Sequence, residues 1–452
     1  MNTYPSYKDS GVECVGDIPK DWQVKRVKYL LNSYDGIKIG PFGSALKLDT
    51  LSDSGVKIYG QANIIKDDFT LGHRYLTVEQ FNKNFTQYEI IDGDVLVTMM
   101  GTTGKSKVFK DSYERGILDS HLLRLRFNKL KLSSRLFSIV LQQSDYIFQQ
   151  LKMSSKGSIM EGLNSSIVRE LSFITPPPDE QNDVLNYLDS ETLKIDTLIK
   201  LTEQKIELLR EQRTALINQC VTKGLNPNVE MKDSGVEWIG EIPLDWCVRK
   251  LNHICTKIRN GYVGPTRGIM KDSGVKYIQG IHIKKGEVNF TPDGDYYVSD
   301  EWSQKHSESI LQEGDVLVVQ TGTIGNVGYV QRELANSNCH ALIIVRINQS
   351  EGIGRFLHYL FLSNYVQSYL QTIKTGEILY HINTKKLRPL DVVVPSRPEQ
   401  QQIIDYLDRQ TFKIDSRIEK ESQRIELLKE YRQALISEVV TGKIDVRDEV
   451  VA

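Results

Sequence analysis

The chain has 452 residues, of which 40% are hydrophobic and 25% charged, and its 57 basic and 58 acidic side chains leave a formal net charge of −1. This is an ordinary globular composition that excludes wholesale disorder, and the length leads one to expect about three domains. No apolar run approaches the roughly 18 residues of a membrane span, and Met1-Asn2-Thr3-Tyr4-Pro5 lacks the basic-then-apolar profile of a signal peptide, so a cytoplasmic protein without membrane contact is expected. The five cysteines (Cys14, Cys220, Cys247, Cys255 and Cys339) are odd in number and include no CxxC. They read as reduced packing residues, neither a disulfide framework nor a zinc site.

In chain order, the first strong signal is a segment that returns. Residues 8–24, KDSGVECVGDIPKDWQV, reappear at 232–248 as KDSGVEWIGEIPLDWCV. Ser54-Gly55-Val56-Lys57 returns at Ser273–Lys276, Gly93-Asp94-Val95-Leu96-Val97 at Gly314–Val318, and Gly101-Thr102-Thr103-Gly104 at Gly322–Gly325. The offset, about 220 residues, is far beyond the 20–50 of a solenoid repeat and indicates tandem duplication of a large unit with pseudo-twofold character.

Each copy has two parts. The stretches 1–178 and 225–398 mix turn residues, β-branched residues and short apolar runs. Strands are expected at Asp94–Val97, Ala341–Val345 and Asp391–Val394, and helices at Leu136–Leu151 and Ile353–Leu370. The stretches 179–222 and 399–441 follow prolines (Pro176-Pro177-Pro178; Pro395 and Pro398), contain neither Pro nor Gly, and end at Gly224 and Gly442, so each reads as one long helix. A 4-3 walk lands on Ile195, Ile199, Thr202, Ile206, Leu209, Arg213, Leu216 and Cys220, and in the second copy on Ile414, Ile418, Glu421, Ile425, Leu428, Arg432, Leu435 and Val439. That is a coiled-coil stripe. A buried seam arginine needs a partner. At about 1.5 Å per residue each rod would be near 60 Å long. Antiparallel packing of the two would bury both stripes and carry the globular regions to opposite ends, whereas parallel packing would place both at one end. The helical stretches carry net charges of −4 and −2, which leaves +5 on the remainder.

Catalytic signals fail on inspection. Met99–Ser106 ends in Gly-Lys-Ser, but a phosphate loop needs glycine where Met99 stands, and the second copy has no Lys-Ser. There is no G-x-G-x-x-G after a strand, no HExxH and no G-x-S-x-G. Thr175-Pro176-Pro177-Pro178 lacks the polar residue of an amino-methyltransferase tetrapeptide. His121 and His340 align across the copies without a nucleophile in both. A non-catalytic chain is expected. What remains is a set of polar, glycine-rich loops: 36–47, 60–63, 98–107 and 154–158 in the first copy, and 259–267, 279–282, 320–326 and 374–381 in the second. Glycine lets backbone approach a ligand, and Lys, Arg, Gln, Asn and His read base edges. The glycine punctuation recurs while the polar residues change: Gly60-Gln61-Ala62-Asn63 aligns with Gln279-Gly280-Ile281-His282. Two readers of two different sequences would need such a constant scaffold with variable tips. The repeated Trp22 with Pro19 and Trp246 with Pro243 read as anchors for each globular region.

The whole chain resembles the specificity subunit of type I restriction–modification systems. The resemblance rests on KDSGVE followed by IP-x-DW twice, on GDVLV followed by G-T-x-G twice, and on proline followed by Glu-Gln before a long helix twice, as Pro177-Pro178-Asp179-Glu180-Gln181 and Pro398-Glu399-Gln400. It implies an α+β fold with two pseudo-twofold-related globular target-recognition domains of mixed short strands and helices, separated by two long antiparallel coiled-coil helices. The expected boundaries are 1–178, 179–224, 225–398 and 399–445. The implied function is recognition of double-stranded DNA, each domain reading one half of a bipartite target, with the helices setting the spacing and docking two DNA-methyltransferase subunits; restriction subunits can join. The chain itself would hold no cofactor or metal, with S-adenosylmethionine, ATP and Mg on the partner subunits. Candidate DNA contacts are Lys38, Lys47, Gln61, Asn63, Lys105, Lys107 and Lys156 for one half-site, and Arg259, Tyr262, Arg267, Gln279, His282, Asn326 and Lys374 for the other. The competing reading is a coiled-coil scaffold holding two protein partners without DNA.

Overall fold

A computed structural model describes residues 2–41, 46, 51–154, 163–291, 296–375 and 381–447. The chain forms two compact units: one from the residues up to Thr202 together with those from Gln423 onward, the other from Glu203–Ser422. Two 44-residue helices, Glu180–Lys223 and Arg397–Val440, each contribute to both units.

The first unit is built on an antiparallel sheet in the order Ile37–Ile39, Leu122–Leu125, Val95–Thr98, Ser106–Val108. A second sheet runs Tyr75–Leu76, Val56–Tyr59, Gly116–Leu118, Glu89–Ile90, with the middle pair parallel. The second unit repeats the first sheet as Cys255–Asn260, Leu342–Ile347, Val316–Val319, Val327–Tyr329, and the other as Tyr297–Val298, Val275–Ile278, Asn338–Cys339. The repeated Val-Leu-Val run does not alternate with polar residues because both of its faces are covered. Val95 and Val97 enter the main core while Leu96 enters a smaller one around Tyr59, Phe69 and Phe109; Val316 and Val318 divide in the same way from Leu317 and Val319. The acidic residue of the same motif is structural. Asp94 accepts from the Ile91 N–H at 2.9 Å and takes both forks of Arg126 at 2.8 Å. Asp315 accepts from Gln312 N–H at 2.8 Å and takes Arg346 at 2.6 and 2.7 Å.

The remaining repeated motifs meet where the helices join each unit. In the first unit the buried Trp22 indole donates to Glu180 Oε2 at 3.0 Å, and the Tyr4 hydroxyl donates to the other oxygen. Burial lifts the Glu180 carboxyl above its usual range. The adjacent Gln181 amide spans the junction, donating to the carbonyls of Lys131 and Pro176 at 3.0 and 3.1 Å and accepting from Ser133 N–H at 2.8 Å. In the second unit Trp246 donates to Glu399 Oε2 at 2.9 Å, and Gln400 donates to the Pro395 carbonyl at 3.0 Å and accepts from Ile353 N–H at 2.9 Å. The end of the other helix arrives at the same indole. Gly442 turns with φ +71° so close to Pro19 and Trp22 that a Cβ there would lie 2.3 Å from the proline ring, and Gly224, φ +75°, occupies the matching place beside Trp246. Lys443 and Lys223 then donate to the carbonyls of Asp17 and Glu241.

Within each unit, therefore, one helix starts where the other stops and the segments run antiparallel. The predicted seam is buried or half-buried at all sixteen positions. Its two arginines are paired across the seam, Arg213 to Asp415 at 2.9 Å in the second unit and Arg432 to Asp196 at 2.9 Å in the first, where Gln143 also accepts from Arg432 at 2.7 Å. The expected single helices at Leu136–Leu151 and Ile353–Leu370 are each two. Ser134–Gln143 and Asp145–Ser154 are separated at Ser144, and Gly354–Leu362 and Asn364–Thr372 at Ser363, where extended backbone (ψ 129° and 153°) interrupts the apolar periodicity.

Glu180→Ala would leave the Trp22 N–H and the Tyr4 hydroxyl buried without their acceptor and should cost about 2–4 kcal/mol of stability, read from urea unfolding; Glu399→Ala, which strands one indole, should cost about half as much. An unchanged urea midpoint in Glu180→Ala would contradict this account of the junction.

Candidate nucleic-acid interface

In the first unit the chain leaves Ile39, Tyr59, Thr98 and Leu118 at one end of the two sheets. Hydrogen bonds tie these exits together: Gly40 N–H to Leu122 O at 3.3 Å, Met99 N–H to His121 O at 3.1 Å, Asp119 N–H to Tyr59 O at 2.9 Å and Leu163 N–H to Met99 O at 2.9 Å. The second unit repeats the arrangement with Gly261 N–H to Leu342 O at 2.8 Å, His340 N–H to Ile278 O at 2.8 Å and Ile382 N–H to Gln320 O at 3.0 Å. The sequence between Met99 and Ser106 is a hairpin turn joining two strands of one sheet, not a strand-to-helix phosphate loop, and Ser106 is buried against the Ser138 hydroxyl at 2.9 Å.

Several predicted contacts gather at these ends. Lys38 and Arg259 hold equivalent places on the edge strands; Lys38 reaches Gln87 Oε1 at 3.2 Å and lies over the Tyr88 ring, and Arg259 is exposed. Gln61 accepts from Met100 N–H at 3.3 Å, Lys105 is exposed on the hairpin turn, and Asn326 is exposed on the matching turn. Lys374 pairs with Ile382, beside that turn. Tyr262 and Gln279 are half-buried. Arg267 is exposed in the segment after Gly264. Lys47 and Lys156 lie outside the described residues.

Three expectations are corrected. Asn63 and His282 are not exposed loop tips. Asn63 donates to the carbonyls of Asp68 and Leu71 at 3.0 and 2.9 Å and accepts from Gly60 N–H at 2.9 Å, all its polar capacity turned inward. His282 accepts from Gln279 N–H at 2.9 Å against Phe290 and Tyr296, and burial holds its imidazole below the usual histidine range. Both close the turn after the preceding strand. Lys107 lies not in the turn but on the strand Ser106–Val108, ion-paired to Asp67 at 2.6 Å in a cleft with Lys110, Arg135 and Arg432. Finally, His340 matches Asp119 rather than His121, because the turn into the next strand is one residue shorter in the second unit.

Sequence reasoning missed the groups that this alignment exposes. In the first unit Asp119 accepts from Arg74 at 3.1 Å and from His121 N–H at 3.0 Å. In the second unit the rings of Tyr262, Tyr277, Trp302, His306 and His340 form one cluster with centroids 4.3–6.3 Å apart, and the Tyr277 hydroxyl lies 3.2 Å from His340 Nδ1. Burial lowers the His340 pKa. The only sequence signal for these groups was the pair of histidines. Exposed and half-buried cations, amides and rings gathered on a sheet end can contact phosphate and base edges, and among the described residues they include no nucleophile–base pair.

Comparison with known proteins follows the same division. A family model described as type I restriction modification DNA specificity domain matches residues 19–211 and again 243–430. The chain is 24% identical over 440 residues to the type I restriction enzyme MjaVIII specificity subunit of Methanocaldococcus jannaschii, with 95% of each chain covered. It is 23% identical over 343 residues to the EcoBI specificity subunit of Escherichia coli, covering 73% of this chain and 70% of that one. Among solved structures, one titled for complex assembly and conformational transition of the type I R-M system gives a TM-score of 0.71 at 16% identity, with 94% and 99% coverage. The HsdS subunit from Thermoanaerobacter tengcongensis gives 0.54 at 16% identity, with 94% and 98% coverage.

Asn63→Ala should lower stability by about 1–3 kcal/mol in urea unfolding, because it strips partners from one buried and two part-buried backbone groups. Lys105→Ala should change stability by no more than about 0.5 kcal/mol. Equal effects of the two would contradict the assignment of Asn63 to the fold and Lys105 to the surface.

Proposed function

The chain belongs to the type I restriction modification DNA specificity family, and from that premise we propose that it reads a bipartite DNA target, one half-site per unit, without catalysing a reaction. One observation carries this reading: the two units hold the same turns with the same backbone hydrogen bonds but present different polar side chains from them, so that Gly60, Arg74 and Asp119 in one answer to Gln279, Tyr296 and His340 in the other. Lys38, Gln61, Lys105, Arg259, Tyr262, Arg267, Gln279, Asn326 and Lys374 are the surface groups that support it, together with Lys47 and Lys156 from the sequence. The long helices set the gap between half-sites and dock two methyltransferase subunits, whose own sites hold S-adenosylmethionine; ATP and Mg belong to the restriction subunits. The assembly works on chromosomal DNA in the cytoplasm. The small positive excess of the globular parts suits a reader whose partners supply much of the phosphate contact.

Mapping methylated adenines in cells that carry this chain with its modification partner should yield one motif made of two unlike half-sites at a fixed gap. Intact complex that marks no such motif would overturn the proposal in favour of a scaffold without DNA. Matched seven-residue insertions after Thr202 and Ser422 keep the seam in phase and add about 10 Å of helix. They should widen the gap by about three base pairs at roughly 3.4 Å each, and an unaltered gap would refute the spacing role.

A further inference from the structure

We propose that Arg74, oriented by Asp119, reads a guanine in the half-site bound by the first unit. The inference rests on the DNA-reading function above and adds to it a specificity-determining residue and the base it selects.

The place is defined by backbone. Ile58 N–H donates to the Arg74 carbonyl at 2.9 Å, which fixes residue 74 at the edge of the sheet, and Asp119 N–H donates to Tyr59 O at 2.9 Å. Both oxygens of the Asp119 carboxylate are engaged, Oδ1 by His121 N–H at 3.0 Å and Oδ2 by Arg74 Nη2 at 3.1 Å. The carboxylate is 10% exposed, whereas the arginine is 50% exposed. Asp119 is therefore a nearly buried, immobilised acceptor that grips one nitrogen of a guanidinium on a half-exposed side chain. Gly60 makes room for the pair, since a Cβ there would stand 2.8 Å from Asp119 Oδ2 and 3.1 Å from Arg74 Nη2. Gln61, next in sequence, and His121 tie the same spot to the 99–104 turn.

A guanidinium held in this way keeps further N–H donors for a ligand, arranged as a planar fork that matches O6 and N7 of guanine in the major groove. Prior orientation by the carboxylate reduces the entropy lost on binding. Lysines such as Lys105 are flexible point charges better suited to phosphate. The second unit supplies the contrast. On the same backbone bonds, with Tyr277 N–H to Tyr296 O at 2.8 Å and His340 N–H to Ile278 O at 2.8 Å, residues Gln279, Tyr296 and His340 replace glycine, arginine and aspartate. No guanidinium stands at that place, so the two half-sites should differ at the base pair it faces.

The test uses the full chain assembled with its modification partner and a set of duplexes in which each base pair of both half-sites is replaced in turn. Arg74→Ala should reduce discrimination about 10- to 100-fold at one G·C pair of the first half-site and leave the second half-site series unchanged. Arg74→Lys should retain overall affinity yet lose the same discrimination, and Asp119→Asn should weaken it less than Arg74→Ala does. Intact reading of the second half-site shows in each variant that the complex is folded. A uniform loss across all duplexes would mark a phosphate contact and overturn the inference, as would undiminished discrimination or a first half-site without a G·C pair. A wild-type complex with no preference for any bipartite site would instead remove the DNA-reading function itself, and the inference with it.

Discussion

A buried indole hydrogen-bonded to a carboxylate in the first turn of a long helix, Trp22 with Glu180 and Trp246 with Glu399, is the constraint on which each unit depends. Neither group is tolerated inside a protein unpartnered. Together they fix where the helix begins and how it leaves the sheets. The returning helix must pass the same ring, and only a glycine in the left-handed region lets it do so. The repeated sequence KDSGVE through Trp, the Glu-Gln pair and the terminal glycine look unrelated in one dimension. They are the parts of one joint.

The strands that lead to the proposed DNA-reading turns are held from within each unit. Asp94 with Arg126 and Asp315 with Arg346 lock the strand that carries the hairpin turn, and its non-alternating apolar run is covered on both faces. The strands that lead to these ends are thus held largely by buried groups. Tyr296 and His340 stand where Arg74 and Asp119 stand, and the two backbone bonds that place them, from the strand N–H to residue 74 or 296 and from residue 119 or 340 to the strand carbonyl, are the same in both units.

The long helices, their seam and the doubled organisation were legible in the sequence because periodicity and repetition are one-dimensional signals. The pairing of Arg213 and Arg432 was legible only as a need; their partners Asp415 and Asp196 lie 202 and 236 residues away. The helix breaks at Ser144 and Ser363 were not legible, since serine is compatible with both a helix and its cap. Asn63 and His282 misled because a polar residue in a glycine-rich loop looks the same whether it faces solvent or the turn it closes. The Arg74–Asp119 pair was hidden because its members are 45 residues apart and the second unit preserves neither side chain. Fold follows pattern, whereas the site follows a three-dimensional meeting of residues that pattern does not encode.

The first unit takes Leu435, Ile436, Val439, Val440, Ile444 and Val446 into its core, and Arg447 lies over the ring of Tyr4. The residues up to Thr202 therefore cannot complete that core until residues 435–447 have left the ribosome. The second unit, continuous from Glu203 to Ser422, is under no such delay. At about 5–20 residues per second the wait is on the order of 10–40 s. During that interval the residues up to Thr202 expose the strip of apolar surface that residues 435–446 later cover, so nascent-chain chaperones should be needed for this unit more than for the second.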